Sequence, residues 1–177
     1  DGNYDEPSKF KTSKNVPFMF KDEVNSTILN EVKTKVQRIE SNIYSGNFEE
    51  AYKDLDLNSV IDQWLIWELT MNREYGDPRS VYMFMDGDGK LCAGPVWDFD
   101  RGTFQNQNNA SSLGNSDRIK ADNEWMCWRT QESDSYSYIW YKKLVTDPIF
   151  QQTVKARWAE MKPYLDMMPE LIHIYGE

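Results

Sequence analysis

Residues 94–102 read GPVWDFDRG, and the interpretation of the whole chain depends on what this stretch does. An apolar run from Leu91 to Trp97 stops at two acids, Asp98 and Asp100, with one phenylalanine between them. Two carboxylates at the end of a buried strand are unfavourable unless hydrogen bonds, cations or a metal ion compensate their charges. The stretch therefore marks either a metal site or a capped turn at the surface.

Upstream of this stretch the apolar residues recur at helical spacing. A first helix is predicted to begin at Asn25 or Ser26 and to be closed by Gly46. A second is predicted to begin at Asn58, a good N-cap residue, and to end by 76–78, which read Gly-Asp-Pro. The period then changes to two, which predicts a β-hairpin over 80–97 around the turn DGDGK.

Downstream, residues 105–123 are rich in Asn, Ser, Gln and Asp and predict a long, mobile loop. A third helix is predicted over about Ser135–Val145. Thr146-Asp147-Pro148 then stops that helix and caps a fourth, which Pro163 is expected to break or kink. The turn sequence DGDG lacks the third oxygen ligand and the distal Glu of a calcium loop, which favours an ordinary turn.

These patterns predict one domain of the α+β class, mostly helical with a small β-hairpin. Residues 1–25 are polar, contain two prolines and are interpreted as a connecting segment, and 26–177 as a helical lobe with the hairpin 80–97. The chain has 177 residues, 40% hydrophobic residues and seven Trp, which suffices for a packed core.

Composition also narrows the range of partners. The net charge is −9, and no basic patch is apparent in the sequence, so we expect no nucleic-acid partner. No apolar run approaches the length of about 18–20 residues that spans a bilayer. Cys92 and Cys127 are either two unlinked thiols or a single bridge, and His173 is expected at a surface or helix end.

The order of elements around the acids suggests a chemistry. A buried helix ends at Asn72, a short loop follows, and a hairpin then leads to Asp98. Protein kinases have this order in their C-terminal lobe, where an Asn and an Asp bind Mg²⁺. The oxygens of Asn72, Asp98 and Asp100 are of the hard kind that Mg²⁺ prefers. The alternative is that Asp98 caps a turn, Asp100 pairs with a surface arginine and Asn72 ends the helix.

A family resemblance favours the first interpretation. The chain resembles the spore-coat protein H family, CotH, over nearly its whole length. The residues that carry the resemblance are 10–22, 60–104 with the specific sequence GPVWDFD, 139–150 and the pair Arg157-Trp158. The resemblance implies an atypical protein-kinase-like fold, here its C-terminal lobe, and Mg²⁺-dependent transfer of the γ-phosphate of ATP to serine residues of an extracytoplasmic protein. It also implies a bacterial cell-envelope, surface or secreted location.

The resemblance assigns roles to individual residues. Asn72 falls on the family's metal-binding Asn, Asp98 on its Mg²⁺-binding Asp, and Glu74 where active members carry a catalytic Asp. Glu74 is a departure that shifts the carboxylate by one methylene, and Ser80 is another, since many members carry Asn there. The family's nucleotide-binding lobe precedes the matched region. We therefore expect this chain alone to bind divalent metal weakly and to show no kinase activity.

The alternative function is a non-catalytic module of the same fold that binds a surface partner or mediates adhesion. Glu74 and several aromatic residues favour that alternative, provided that these aromatics are exposed: Trp125, Trp128, Tyr136 and Tyr138. Aromatics beside a polar loop also stack on sugars, although most aromatic residues in a folded chain pack in its core.

Overall fold

The computed structural model describes residues 4–70, 81–97, 99 and 138–176. This part of the chain is mostly helical and contains two separate antiparallel pairs of strands. The α+β class is therefore confirmed, with two hairpins where one was predicted. The predicted loop 105–123 lies outside the described residues.

The first helix, α1, spans Ser26–Ser45 and has the predicted ends. The side chain of Asn25 accepts a hydrogen bond from the backbone amide of Ile28 at 3.0 Å. At the other end Gly46 adopts the left-handed conformation, with φ of 78°, and its amide bonds to carbonyls of the last turn. Val36, Ile39 and Ile43 lie on the buried face.

Two further helices follow directly. Helix α2, Phe48–Asp54, was not predicted from the sequence. The burial of its residue Ala51 stabilises it against the rest of the protein. Helix α3 spans Leu57–Thr70. The predicted start at Asn58 is wrong, because Asp56 occupies the capping position and its carboxylate accepts from the amide of Ser59 at 2.7 Å. An ionised carboxylate satisfies a free helical N–H better than an amide does.

The two hairpins have strands of three residues each. The first pairs β1, Lys9–Lys11, with β2, Pro17–Met19, and sets Phe10 opposite Phe18. The second pairs β3, Met83–Met85, with β4, Leu91–Ala93. The DGDG sequence forms the tight turn of this second hairpin, in which the carboxylate of Asp86 accepts from the amide of Lys90 at 2.6 Å.

Two helices complete the described chain. Helix α4 spans Tyr138–Leu144, within the predicted limits. Helix α5 spans Pro148–Tyr175, and Asp147 caps it through bonds from the amides of Ile149 and Phe150, as the sequence predicts. It continues through Pro163 and Pro169, so of the two predicted effects of Pro163, a break or a kink, the break is wrong. Both prolines are exposed, and water can satisfy the carbonyls that their missing N–H groups leave free.

The core lies where α1, α3 and α4 meet the two hairpins and the first turns of α5. Its fully buried members come from every one of these helices, including Ile39, Ile61, Leu144 and Phe150. Phe10 of β1 belongs to the same core, so the segment interpreted as a connection packs against the helices. Cys92 is a buried free thiol whose pKa is raised by burial, whereas Cys127 lies outside the described residues. His173 is exposed in the last turn of α5.

A buried carboxylate joins three elements of this fold. Glu40 of α1 is fully buried. One of its oxygens accepts from the hydroxyl of Ser13 at 3.0 Å and from the amide of Lys14 at 3.1 Å. The other accepts from the indole N–H of Trp140 on α4 at 3.2 Å. Glu40 therefore fixes the turn between β1 and β2 to both α1 and α4.

Candidate functional site

The residues to which the sequence assigns catalysis and metal binding lie outside the described residues. These are Asn72, Glu74, Asp98 and Asp100, together with Ser80. What the structure describes is the scaffold on either side of them. Helix α3 leads up to Thr70, the chain is described again from Val81, and the described segment that contains the second hairpin extends to Trp97.

Strand β4 starts beside the N-terminal end of α3 and advances in the same direction. Leu55 forms a parallel bridge with Leu91, and the amide of Asp56 donates to the carbonyl of Leu91 at 2.9 Å. Two residues further along β4, the amide of Ala93 donates to the hydroxyl of Ser59 at 3.0 Å. The helix and the strand therefore lie side by side, with their carboxyl ends directed the same way.

A cavity of about 360 Å³ lies between the two hairpins and is closed by α1, α3 and α4. This volume is within the range of pockets that bind small molecules, about 300–1,000 Å³. Aromatic residues from four elements and the segment preceding β3 form much of its wall: Phe10, Phe18, Trp67, Tyr82, Trp140 and Tyr141. An apolar wall with rings from several directions suits a flat ligand.

One buried polar side chain lies in this otherwise largely apolar wall. Gln63 of α3 is 4% exposed and lines the cavity. In the part of the chain that the structure describes, its carboxamide forms no hydrogen bond. The carboxamide of Gln63 is therefore available to hydrogen-bond a ligand that has a polar edge.

Charged groups lie at the rim of the cavity, at the start of the chain and after β2. Glu6 and Lys21 both line it, and the ammonium of Lys21 lies 5.0 Å from the ring centroid of Tyr82. A hydrogen bond with Tyr82 raises the pKa of Lys21. The rim therefore carries a cation that can approach an anionic substituent of a ligand in the cavity.

No second metal site competes with the predicted one in the described ranges. Among residues 4–70, 81–97, 99 and 138–176, no three His, Cys, Asp or Glu residues converge as metal ligands would. Within these ranges, too, no helix combines the length and apolar character of a membrane span. The magnesium site at Asn72, Asp98 and Asp100 stays a prediction.

The cavity was not foreseen, because part of its wall comes from the hairpin β1–β2. A signal was present in residues 9–12, where Lys, Phe, Lys and Thr alternate between exposed and buried positions. Four residues are a weak sign of a strand, and the flanking prolines and charges favoured a connection instead.

Comparison with known proteins gives one result over nearly the whole chain. A family model described as CotH kinase protein matches residues 3–168. No curated protein and no solved structure gives a match.

Proposed function

We propose that this chain, which belongs to the CotH kinase family, takes part in Mg²⁺-dependent transfer of the γ-phosphate of ATP to serine residues of a protein. The observation that supports this proposal is the order of elements within the matched region. Helix α3, the hairpin β3–β4 and the segment leading to Asp98 follow one another as the sequence predicts. The bacterial cell-envelope location and the extracytoplasmic protein substrate belong to the same proposal.

The geometry of the scaffold supports a meeting of Asn72 and Asp98. A helix rises about 1.5 Å per residue and a strand about 3.3 Å. From Ser59 to Thr70, α3 therefore covers about 16 Å, and the four described residues beyond Ala93 can cover at most about 13 Å. Since Ser59 and Ala93 are in contact and both elements run the same way, we infer that Asn72 and Asp98 come to one end of the scaffold.

At that end each side chain has a separate task. The amide oxygen of Asn72 and the carboxylates of Asp98 and Asp100 would hold a magnesium ion, which would neutralise charge on the phosphates. Glu74, two residues after Asn72, accepts the proton of the serine hydroxyl as it attacks. Its extra methylene, relative to Asp, requires that the loop or the acceptor be displaced by about 1 Å.

The cavity between the hairpins is the place we propose for the base of the nucleotide. Its aromatic wall can stack on a purine, and the carboxamide of Gln63 offers both a donor and an acceptor to the purine edge. Lys21 at the rim lies where it can approach a phosphate. This arrangement gives the nucleotide contacts within this chain that the sequence alone did not suggest.

Phosphoryl transfer from radiolabelled ATP to a serine-rich protein tests the proposal, using the complete protein that contains this chain. We expect transfer that depends on Mg²⁺ and falls by about 100-fold or more in Asp98→Asn. Asp88→Asn, an exposed carboxylate in the turn of the same hairpin, is the matched control and should retain activity. Transfer that survives Asp98→Asn would rule out the assigned metal site.

A second experiment separates the nucleotide site from the chemistry. Gln63→Leu preserves the volume of the side chain but removes its hydrogen bonds, so binding of a fluorescent ATP analogue should weaken about tenfold. Gln152→Leu on the exposed side of α5 should leave binding unchanged. Equal binding by both variants would place the base elsewhere.

The alternative is the non-catalytic module that binds a surface partner. The exposed apolar residues on the C-terminal half of α5, including Tyr164, Ile172 and Tyr175, are the observation that favours it. A complete protein that binds no nucleotide, even with Glu74→Asp, would support this function over the kinase.

A further inference from the structure

Two lysines approach one tyrosine ring at the junction of three elements. The ammonium of Lys14, in the turn between β1 and β2, lies 4.4 Å from the ring centroid of Tyr44 on α1. The ammonium of Lys143, in the last turn of α4, lies 5.8 Å from the same centroid. The two cations are therefore within about 10 Å of each other, a distance at which they repel.

Neither cation is neutralised by a carboxylate in the part of the chain that the structure describes. In the ranges that the structure describes, no carboxylate forms an ion pair with Lys14 or Lys143, and both side chains are exposed. The nearby carboxylate of Glu40 is fully buried and is already bonded to Ser13, Trp140 and the backbone of Lys14. The ring of Tyr44 offers each ammonium a weak cation–π contact but no counter-charge.

The same buried Glu40 also positions the three parts of this cluster. It bonds directly to the amide of Lys14 and to the indole of Trp140, which is three residues before Lys143. Tyr44 lies four residues after Glu40, one turn further along the same helix. Glu40 thus fixes the backbone positions from which the two lysine side chains extend.

We propose that Lys14, Tyr44 and Lys143 form a binding site for a phosphoserine side chain of a protein. A phosphate monoester carries a charge of about −1.5 to −2 at neutral pH, which matches two ammonium groups, and its three oxygens can accept from both. The ring of Tyr44, which both lysines approach, gives an apolar contact for the methylene of the phosphoserine. Nothing in the proposed transfer reaction uses these three residues.

The net charge of the chain argues against larger anionic partners. At −9, the protein as a whole repels an anionic membrane or a nucleic acid, whereas one phosphate on a peptide can reach a local pair of cations. If the proposed serine kinase function holds, a phosphorylated product bound here would be kept near the protein between transfers. That consequence rests on the proposed function, but the binding itself does not.

Fluorescence anisotropy with labelled peptides tests the site directly, without ATP. The probes are one neutral peptide of about ten residues in three forms, with Ser, phosphoserine or Glu at its centre. We expect the phosphoserine peptide to bind the full chain at least about tenfold more tightly than the other two. Raising the salt concentration should weaken this binding.

Charge-removing variants locate the site. Lys14→Gln and Lys143→Gln should each weaken phosphoserine binding about three- to tenfold, and the double variant should bind like the unphosphorylated peptide. Lys155→Gln, an exposed lysine on α5, is the matched control and should bind as the unchanged protein does. Circular dichroism confirms that the exposed substitutions leave the fold intact.

Four results would overturn the proposal. Equal affinity for the Ser and phosphoserine peptides would show that no phosphate is recognised. Equal affinity for the Glu and phosphoserine peptides would show that the site recognises negative charge and not the phosphate group. Phosphoserine binding unchanged in the double variant would place it elsewhere. Lysine-dependent binding of vesicles that contain phosphatidylserine would assign the cluster to a membrane. Because none of these measurements involves transfer, they can fail while the kinase function stands, or succeed while it fails.

Discussion

The two hairpins are alike in size but are attached to the helices by different kinds of contact. The hairpin β1–β2 is attached through side chains, namely the ring of Phe18 against that of Trp140 on α4, with centroids 6.2 Å apart, and the carboxylate of Glu40. The hairpin β3–β4 is attached largely through its backbone, with Leu91 paired to Leu55 and Ala93 bonded to Ser59.

This difference has a physical consequence for each hairpin. Contacts through one buried carboxylate are strong but are lost together when that residue changes. Backbone pairing is distributed over several bonds, and it depends on the turn that holds the strands in register. The first hairpin should therefore be sensitive to a remote helix residue, and the second to its own turn.

The largest expected effect comes from removing the carboxylate of Glu40. Glu40→Ala leaves the Ser13 hydroxyl, the Lys14 amide and the Trp140 indole without their acceptor, in a fully buried place. We expect the free energy of unfolding to fall by about 3–5 kcal/mol. Urea denaturation measures the loss, and Glu31→Ala, on the exposed side of the same helix, should change stability by less than about 0.5 kcal/mol.

Hydrogen exchange tests whether the loss is local to one hairpin. In Glu40→Ala the amide of Thr12, which bonds to the carbonyl of Val16 in the first hairpin, should lose more protection than the amide of Gly94, which bonds to Tyr82 in the second. An equal loss at both amides would mean that the hairpins unfold together, and the distinction between them would be wrong.

The same difference explains which parts of the fold were predictable. The second hairpin has a turn with two glycines and an alternating pattern, both of which are local signals. The ends of α1 and the cap of α5 were also predicted, since Asn25, Gly46 and Asp147 act within one turn of chain. The first hairpin depends on Glu40 and Trp140, whose partners are 26 to 100 residues away, and no local pattern records such contacts.

The candidate site, too, has one part that the sequence predicts and another part that it does not. The order of α3, hairpin and acids was apparent because it is a linear sequence of elements. The cavity with Gln63 was not, because a buried glutamine on a helix looks like any polar residue until the opposite wall is known. The cluster of Lys14, Tyr44 and Lys143 likewise joins three distant segments.

An intermediate effect is expected in the turn of the second hairpin. Gly89 has φ of 78°, a conformation that L-residues adopt at a cost of about 1–2 kcal/mol. A Cβ added there would also lie 3.4 Å from the ammonium of Lys35, which donates to the carbonyl of Gly89. Gly89→Ala should therefore destabilise the chain by about 1–2 kcal/mol.

Gly87, two residues earlier in the same turn, is the matched control. It does not have positive φ, and an added Cβ would meet no atom within 4 Å. Gly87→Ala should therefore be nearly neutral in urea denaturation. If both alanine variants lost the same stability, the conformation of Gly89 would not be what secures the turn.

The smallest expected effect concerns an exposed ion pair on the helix that also carries Glu40. Arg38 donates two hydrogen bonds to Asp54, at 2.6 and 2.7 Å, and these bonds hold the last residue of α2 against α1. The next residue, Leu55, is the one that pairs with Leu91 of β4. The bonds from Arg38 lower the pKa of Asp54. Because the side chain of Arg38 is 53% exposed, solvent screens the pair, and Asp54→Asn should cost less than about 1 kcal/mol at pH 7.

The pH dependence of stability tests the pair further. The stabilisation that comes from the lowered pKa of Asp54 is complete above the unfolded pKa of about 4, and it is lost as the pH falls through the folded pKa. The difference in unfolding free energy between the unchanged chain and Asp54→Asn should therefore shrink between pH 7 and pH 3. A difference that stayed constant or grew over that range would show that the pair does not anchor the second hairpin electrostatically.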